Sequence, residues 1–292
     1  MTKTTDFDPQ LLKTLYRPQD KSKKEQNGQI TIIGGSDLFH GAPLLAIQTA
    51  SRIVDMVFFA SPEPSLEKIA RFKSELSSFI YVPFDEVGEY IKKSDAVLIG
   101  PGMKRFHQEK DRRKISSKYD EAGTRTKFLT EKLLRQYSQK QWIIDAGALQ
   151  VVNPALIPLH AIITPNQKEF TLLFGQDPIK QDESSLIQTV SHLALIHHCV
   201  IVYKAATAYV SDGKTTYLIK NGNPGLTKGG TGDILAALTT ALVAKNPPLL
   251  SAAAASYIVK AAADDLYRKV GTFYNSDDLA SHIPATLHSL LT

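Results

Sequence analysis

Cysteine is almost missing from this 292-residue chain, with Cys199 standing alone. A single thiol permits no intrachain disulfide and no cysteine-built zinc site. Its place in an apolar run predicts an inert core side chain. Histidine is scarce as well, and no two of the eight have the H-x-x-x-H spacing of a helical zinc site. No run of about 18 or more apolar residues occurs, so no membrane-spanning helix is expected. The opening MTKTTDFDPQ has neither the basic n-region nor the apolar h-region of a secretory signal. With the lone thiol, this makes a reduced, cytoplasmic compartment the expectation. A large charge imbalance is missing too, since 34 Lys and Arg against 29 Asp and Glu leave +5. That mildly favours anionic ligands and is too small and scattered to indicate a nucleic-acid partner. What is present is 43% apolar and 22% charged residues, the composition of a chain that buries a real core. The length suits one large α/β domain over 1–292.

Short apolar, β-branched runs alternate with longer helical patterns. Strands are predicted at 30–33, 53–59, 96–99, 142–145, 161–164, 200–203, 207–211 and 215–219, and helices at 42–52, 126–138, 183–197 and 234–244. Near-continuous apolar strands indicate burial on both faces, as in a parallel sheet covered by helices. The expected fold class is a three-layer α/β/α sandwich with a mainly parallel, doubly wound sheet. The strands after 200 read instead as an antiparallel hairpin closed by Asp212-Gly213. Residues 1–28 read as a lead-in, with the sheet starting near residue 30, and 103–122 as a charged insertion. The Ala-rich C-terminal stretch reads as closely packed helices. Three strands end in GGS, GPG and DAG turns. Ligands of open parallel sheets bind beyond the carboxyl ends of the strands, so the three turns point to one shared site.

The strongest chemical signal is GNPGLTKGGTGD at 222–233, followed by the apolar ILAALTTALVAK. Glycines without a Cβ let backbone N–H groups approach a ligand closely. Those groups and the positive end of the helix dipole form an anion site suited to phosphate. Asp233 in the first turn places a carboxylate beside that phosphate. Phosphoryl transfer needs a carboxylate there, to accept a proton from an attacking hydroxyl. The simpler alternative is a Gly-rich loop followed by a helix-capping Asp. Lys does not follow the final glycine, so this is no Walker A loop.

GNPGLTKGGTGD closely resembles GNPGLATGGSGD, the signature of the ADP/ATP-dependent NAD(P)H-hydrate dehydratases of the ribokinase-like superfamily. The resemblance continues in the family's order. GGSDLFHGAPLLA at 34–46 is similar to GGSxxYxGAPxLAA, and IGPG at 99–102 to the GPG turn. DAGAL at 145–149 resembles D-A-D-A/G-L, TPNQKEF at 164–170 resembles TP-His/Asn-xx-EF, and Lys204 falls at the K-G motif. The resemblance implies repair of hydrated NADH or NADPH at the expense of ADP or ATP, by phosphorylating the ring hydroxyl and eliminating phosphate. Carried over by motif, Asp233 is the catalytic base. Lys204, Ala205, Ala206, Thr207 and Ala208, with Gly229, Gly230, Thr231 and Gly232, flank the nucleotide. Ala42, Gly102, Asn166 and Asp233 line the hydrate pocket. Asp145, Glu169 and Asn223 stand behind them, with Mg²⁺ reached by Glu169 through water and no direct metal ligand. A homo-oligomer, a tetramer, is also implied. Simpler readings stay open: a tight turn for Gly34-Gly35, a helix cap for Asp145, and a capped helix start for Asn166 and Glu169 after Pro165.

The chain departs from the family pattern at several positions. Ala205 replaces the glycine of K-G, and Ala208 stands where a polar residue is expected near the nucleotide. Gly147 replaces an Asp, Asn166 a common His, and Lys104 directly follows the GPG turn. The 103–122 insertion holds Lys104, Arg105, Lys110, Arg112, Arg113, Lys114 and Lys118 ahead of Asp120 and Glu121. It reads either as a solvated loop or as a lid over substrate phosphates. Two other functions would use the same residues: a small-molecule kinase of this fold, and a nucleotide-binding sensor without turnover.

Overall fold

The computed structural model describes residues 2–63, 76–106 and 118–292. Among the described residues, the apolar runs enter one ten-stranded sheet. Its strands are β1 (Lys3–Asp6), β2 (Gln29–Ile33), β3 (Met56–Ala60), β4 (Ile80–Tyr81), β5 (Ala96–Ile99), β6 (Gln141–Ile144), β7 (Ile162–Ile163), β8 (Val200–Tyr203), β9 (Ala208–Ser211) and β10 (Thr215–Ile219). Across the sheet the order is β1-β10-β9-β8-β7-β6-β5-β2-β3-β4. All neighbours from β4 to β8 are parallel. β9 is antiparallel to β8 and to β10, the hairpin expected around Asp212-Gly213. The chain runs outward from β2 to β4, then returns to set β5 on the other side of β2. Such a reversal opens a ligand crevice in doubly wound sheets. The GGS and GPG turns leave the two strands that flank it. They are tied together there, with Gly35 N–H donating to Pro101 O at 2.7 Å and Gly100 N–H to Ile33 O at 3.0 Å.

The helices among the described residues are α1 (Gly41–Ala50), α2 (Val87–Lys93), α3 (Glu121–Gln136), α4 (Ala146–Leu149), α5 (Gln167–Phe174), α6 (Glu183–Ile196), α7 (Thr231–Val243), α8 (Pro248–Val270) and α9 (Ser276–Leu291). Strand side chains alternate between two cores. On one face Ile30, Ile32, Leu98 and Val202 pack with Ile47 of α1, Leu238 of α7, Ala255 of α8 and Leu279 of α9. On the other, Ile33, Val97, Trp142 and Ile201 meet Ile91 of α2, Leu134 of α3, Phe170 of α5 and Val190 of α6. Burial of both faces is why the strands read as unbroken apolar runs. The expected α/β/α sandwich is the one observed.

The sheet begins earlier than residue 30. Part of the 1–28 lead-in is built into it, because Lys3–Asp6 pairs in parallel with β10 and Leu12 is fully buried. All four residues of β1 are exposed, so no apolar alternation marks it. α3 begins at Glu121 rather than 126, because the Asp120 carboxylate accepts the N–H groups of Ala122 (2.9 Å) and Gly123 (3.3 Å). The end of the charged insertion is therefore a helix start. Its other end is not a solvated loop either, since Lys104 is 8% exposed and ion-paired with Asp37. Lys110, Arg112, Arg113 and Lys114 lie outside the described residues, and so does the lid assigned to them. Cys199 is buried, and burial pushes its thiol up to about 12. No helix among the described residues is long and apolar enough to cross a membrane.

Gly100 shows how tightly the strand ends are drawn together. Its φ is +124°, and an added Cβ would lie 1.8 Å from the backbone oxygen of Asp145. Gly100→Ala is expected to cost more than about 1–2 kcal/mol, the penalty of the left-handed backbone alone. Urea denaturation reads this directly, and an unchanged midpoint would contradict the packing described.

Candidate active site

α7 opens on Gly230, whose φ of +95° begins the helix with a left-handed turn. A Cβ there would meet Leu45 Cδ1 at 2.5 Å and Ser276 Oγ at 2.8 Å, so only glycine fits. The first N–H groups of a helix have no intrahelical acceptor. Here Thr231 and Gly232, which carry such groups, line the larger of two cavities. Asp233 follows in the first turn of the helix.

Asp233 belongs to an ionic cluster assembled from several strand ends. Asp145, just after β6, is 1% exposed, and its Oδ1 accepts from Thr164 Oγ1 (2.6 Å) and Lys204 Nζ (2.8 Å). It stands at the N-cap of α4 but makes no side-chain capping bond, so the helix-cap reading fails for its carboxylate. Glu169 is 4% exposed and accepts from the Asn166 N–H (2.9 Å) and Gln150 Nε2 (3.3 Å). Asn166 Oδ1 accepts the Glu169 N–H at 3.0 Å, completing a capping box at the start of α5. The box also aims Glu169 at Lys204, whose Nζ lies 3.6 Å from Glu169 Oε2.

Lys204 is the hub of this cluster. Burial opposes its charge, but Asp145 and Glu169 outweigh burial and raise its pKa. A Cβ on Gly232 would fall 3.3 Å from Lys204 Nζ, so the ammonium stands beside the α7 N-terminus. Asp233 is pushed up to about 7, chiefly by burial and by the charge of Asp145, with Lys204 pulling the other way and Glu169 adding to the rise. A carboxylate balanced near neutral pH suits a general base.

Two cavities meet at this cluster. The larger, about 700 Å³, is lined by Lys204, Ala205, Ala206, Ala208, Thr231 and Gly232 among the residues expected at the nucleotide. Thr207, Gly229 and Gly230 are not in its wall. The smaller, about 260 Å³, is lined by Ala42, Gly102 and Asp233, with Phe39, Met103 and Phe106. Asn166, expected at the hydrate pocket, lines the larger cavity instead, as does Asn223. Asn223 holds the GNPG loop: its Oδ1 accepts from the Gly225 N–H (3.0 Å) and Tyr274 OH (2.8 Å), and its Nδ2 donates to Asp264 (2.9 Å). Sequence reasoning missed Ser256, Val259 and Lys260 of α8, which also line the larger cavity. The one available signal was a lysine set among Ile, Val and Ala, ahead of the charged end of the helix.

No group of three or more His, Cys, Asp or Glu side chains among the described residues forms a metal cage. Asp145 and Glu169 are nonetheless buried carboxylates close enough to Asp233, in the first turn of α7, to raise its pKa. That donor set fits a hard cation carried by phosphates, which keeps most of its waters.

The fold is that of the ribokinase-like enzymes. A ribokinase-like superfamily protein of Enterococcus faecalis superposes with a TM-score of 0.79 at 20% identity, over 98% of this chain and 96% of that one. The ADP/ATP-dependent NAD(P)H-hydrate dehydratase of Bacillus subtilis, co-crystallized with ATP/Mg²⁺, superposes with a TM-score of 0.76 at 19% identity over 98% of each chain. Within that class the chain belongs to the NAD(P)H-hydrate dehydratase family, whose model matches residues 30–285. It is 31% identical over 283 residues to the ADP-dependent (S)-NAD(P)H-hydrate dehydratase of Nitrosopumilus maritimus, covering 92% of this chain and 91% of that protein. It is 33% identical over 286 residues to the bifunctional NAD(P)H-hydrate repair enzyme Nnr of Methanocaldococcus jannaschii. There it covers 94% of this chain and spans only 51% of the relative's length.

Proposed function

We propose that this chain dehydrates hydrated NADH or NADPH to the reduced cofactor, consuming ADP or ATP with Mg²⁺. The observation that carries this reading is the position of Asp233. It lines the smaller cavity while its neighbours Thr231 and Gly232 line the larger. A hydroxyl held in the smaller cavity would therefore face a phosphate held in the larger one.

Asp233 accepts the proton of the ring hydroxyl, and the freed oxygen attacks the terminal phosphorus. The P–O bond to the rest of the nucleotide breaks, and the nucleotide leaves one phosphate shorter. The α7 N-terminus and Lys204 face the charge on the transferring group. The ring nitrogen then expels the phosphate as the C–O bond breaks. Loss of a proton from the adjacent carbon restores the ring double bond. Mg²⁺ bound with the nucleotide would offset phosphate charge, with Asp145 and Glu169 reaching it through water. Family membership also supports a homo-oligomer, a tetramer, and the lone buried thiol fits a cytoplasmic compartment.

The test mixes the purified protein with hydrated NADH, Mg²⁺ and either ADP or ATP, and follows absorbance of the regenerated dihydronicotinamide. A nucleotide-dependent rise is expected, and the more effective nucleotide is the phosphoryl donor. A stable phosphate ester would replace this reading with a kinase. Nucleotide binding with no turnover would replace it with a sensor.

A further inference from the structure

The reaction gives no role to Lys260, which is 7% exposed on α8 and lines the larger cavity. Its Nζ is bonded to three backbone carbonyls: Ala206 O, Ile219 O at 3.2 Å and Ala205 O at 3.5 Å. An ammonium has three donors and no acceptor, so all three are used on the protein. Two of the acceptors belong to the β8–β9 loop, whose Ala205 and Ala206 also line the cavity. The third ends β10, just ahead of the GNPG loop. The lysine stem lies against that loop as well, since a Cβ on Gly222 would fall 3.0 Å from Lys260 Cγ. One turn further along α8, Asp264 accepts the Gly222 N–H at 2.9 Å and Asn223 Nδ2 at 2.9 Å. Residues four apart share one helix face, so α8 reaches two walls of the cavity with one pair of side chains.

We infer that Lys260 is a positioning residue for the nucleotide: its ammonium ties the β8–β9 loop to the end of β10 and so holds the cavity wall in its nucleotide-binding shape. The inference rests on the larger cavity being the nucleotide site. Lys260 has no donor left for phosphate and acts through the loop backbone. Removing it would take the ammonium from the Ala205 and Ala206 carbonyls and free the loop to move, at a cost borne mainly by nucleotide binding.

Burial lowers the Lys260 pKa to about 8, against the opposing charge of Asp264. The clamp is complete below that value and weakens as pH rises through it. Lys204 and Lys228 also line the cavity, and Asp264, Tyr257 and Tyr274 stand against Asn221 and Asn223 beside it. Burial holds both tyrosines above their usual value, and the Lys204 pKa is raised. Lys228 donates to the backbone oxygens of Thr272 and Tyr274, away from the β8–β9 loop.

The experiment is calorimetric titration of the full chain with ADP or ATP and Mg²⁺, with no hydrate present, so that it does not depend on dehydration. Lys260→Met is expected to weaken binding about tenfold, and in turnover to raise the nucleotide KM while leaving the hydrate KM unchanged. Wild-type affinity is expected to fall as pH rises above 8, whereas Lys260→Arg, which keeps its charge there, stays level. Equal affinity of Lys260→Met and wild type overturns the inference, and so does a parallel pH response of wild type and Lys260→Arg. If Lys260→Met does not fold, the wild-type pH response decides alone, and a flat profile overturns the inference. A wild-type chain that binds no nucleotide at pH 7.5 overturns the dehydratase reading, and this inference with it.

Discussion

Asp233→Asn is expected to lower turnover of the hydrate by about 10²–10⁴-fold, the usual contribution of a positioned base, while nucleotide binding persists. Asparagine keeps the size of the side chain and the first turn of α7, but it cannot accept the hydroxyl proton. In the wild type, the base must be ionised to work. Because Asp233 titrates at about 7, the rate should fall as pH drops through 7, where an ordinary aspartate would titrate near 4. Stability should move the other way. A carboxyl whose folded pKa lies above its unfolded one is a burden to the fold when ionised, fully so above pH 7 and not at all below about 4. Asp233→Asn should therefore gain stability over wild type as pH is raised between those limits. Single-turnover rates and urea denaturation at pH 5 and 8 check both effects. A variant with wild-type turnover would remove Asp233 from the chemistry.

Lys204→Met is expected to be the most damaging change to stability at the site. Asp145 and Glu169 are 1% and 4% exposed, and both face the Lys204 ammonium. Removing one partner of a buried ionic cluster costs about 3–5 kcal/mol, because the remaining charges stay buried and uncompensated. The raised pKa of Lys204 means its stabilisation is complete below its unfolded value of about 10.4 and is lost only at higher pH. Lys204's own titration adds no pH dependence between pH 7 and 8, but ionised Asp233 loses the charge that offsets it, so the loss in the variant should grow as pH rises through 7. Activity should report the same charge. Lys204 pulls the Asp233 pKa down, so in Lys204→Met the acidic limb of the rate profile should move to higher pH. Lys204→Arg should restore part of the stability. An unfolding free energy within about 1 kcal/mol of wild type, with an unmoved acidic limb, would show that the cluster is not held by this charge.

Much of the molecule was legible in the chain. Apolar runs at 30–33, 96–99 and 200–203 marked buried strands, because burial on both faces removes polar alternation. The Gly-rich stretch at 222–233 marked a helix N-terminus, which opens on the larger cavity, because glycine allows the backbone conformation seen at Gly230. Asp212-Gly213 marked the hairpin. These signals act within a few residues, so the sequence alone determined them.

What only the tertiary structure decided depends on strand order. Lys204 falls at a motif associated with nucleotide, and nothing near it in sequence shows that its ammonium turns to Asp145, 59 residues away. That contact exists because β8, β7 and β6 lie side by side. The pKa of Asp233 comes from burial and from charges on other elements. Lys260 joins the site because α8 packs across the ends of β8 and β10, and β1 joins the sheet with no apolar face to announce it. Backbone preference and hydrophobic periodicity are local. Desolvation and charge pairing are set by whatever the fold brings within a few ångströms.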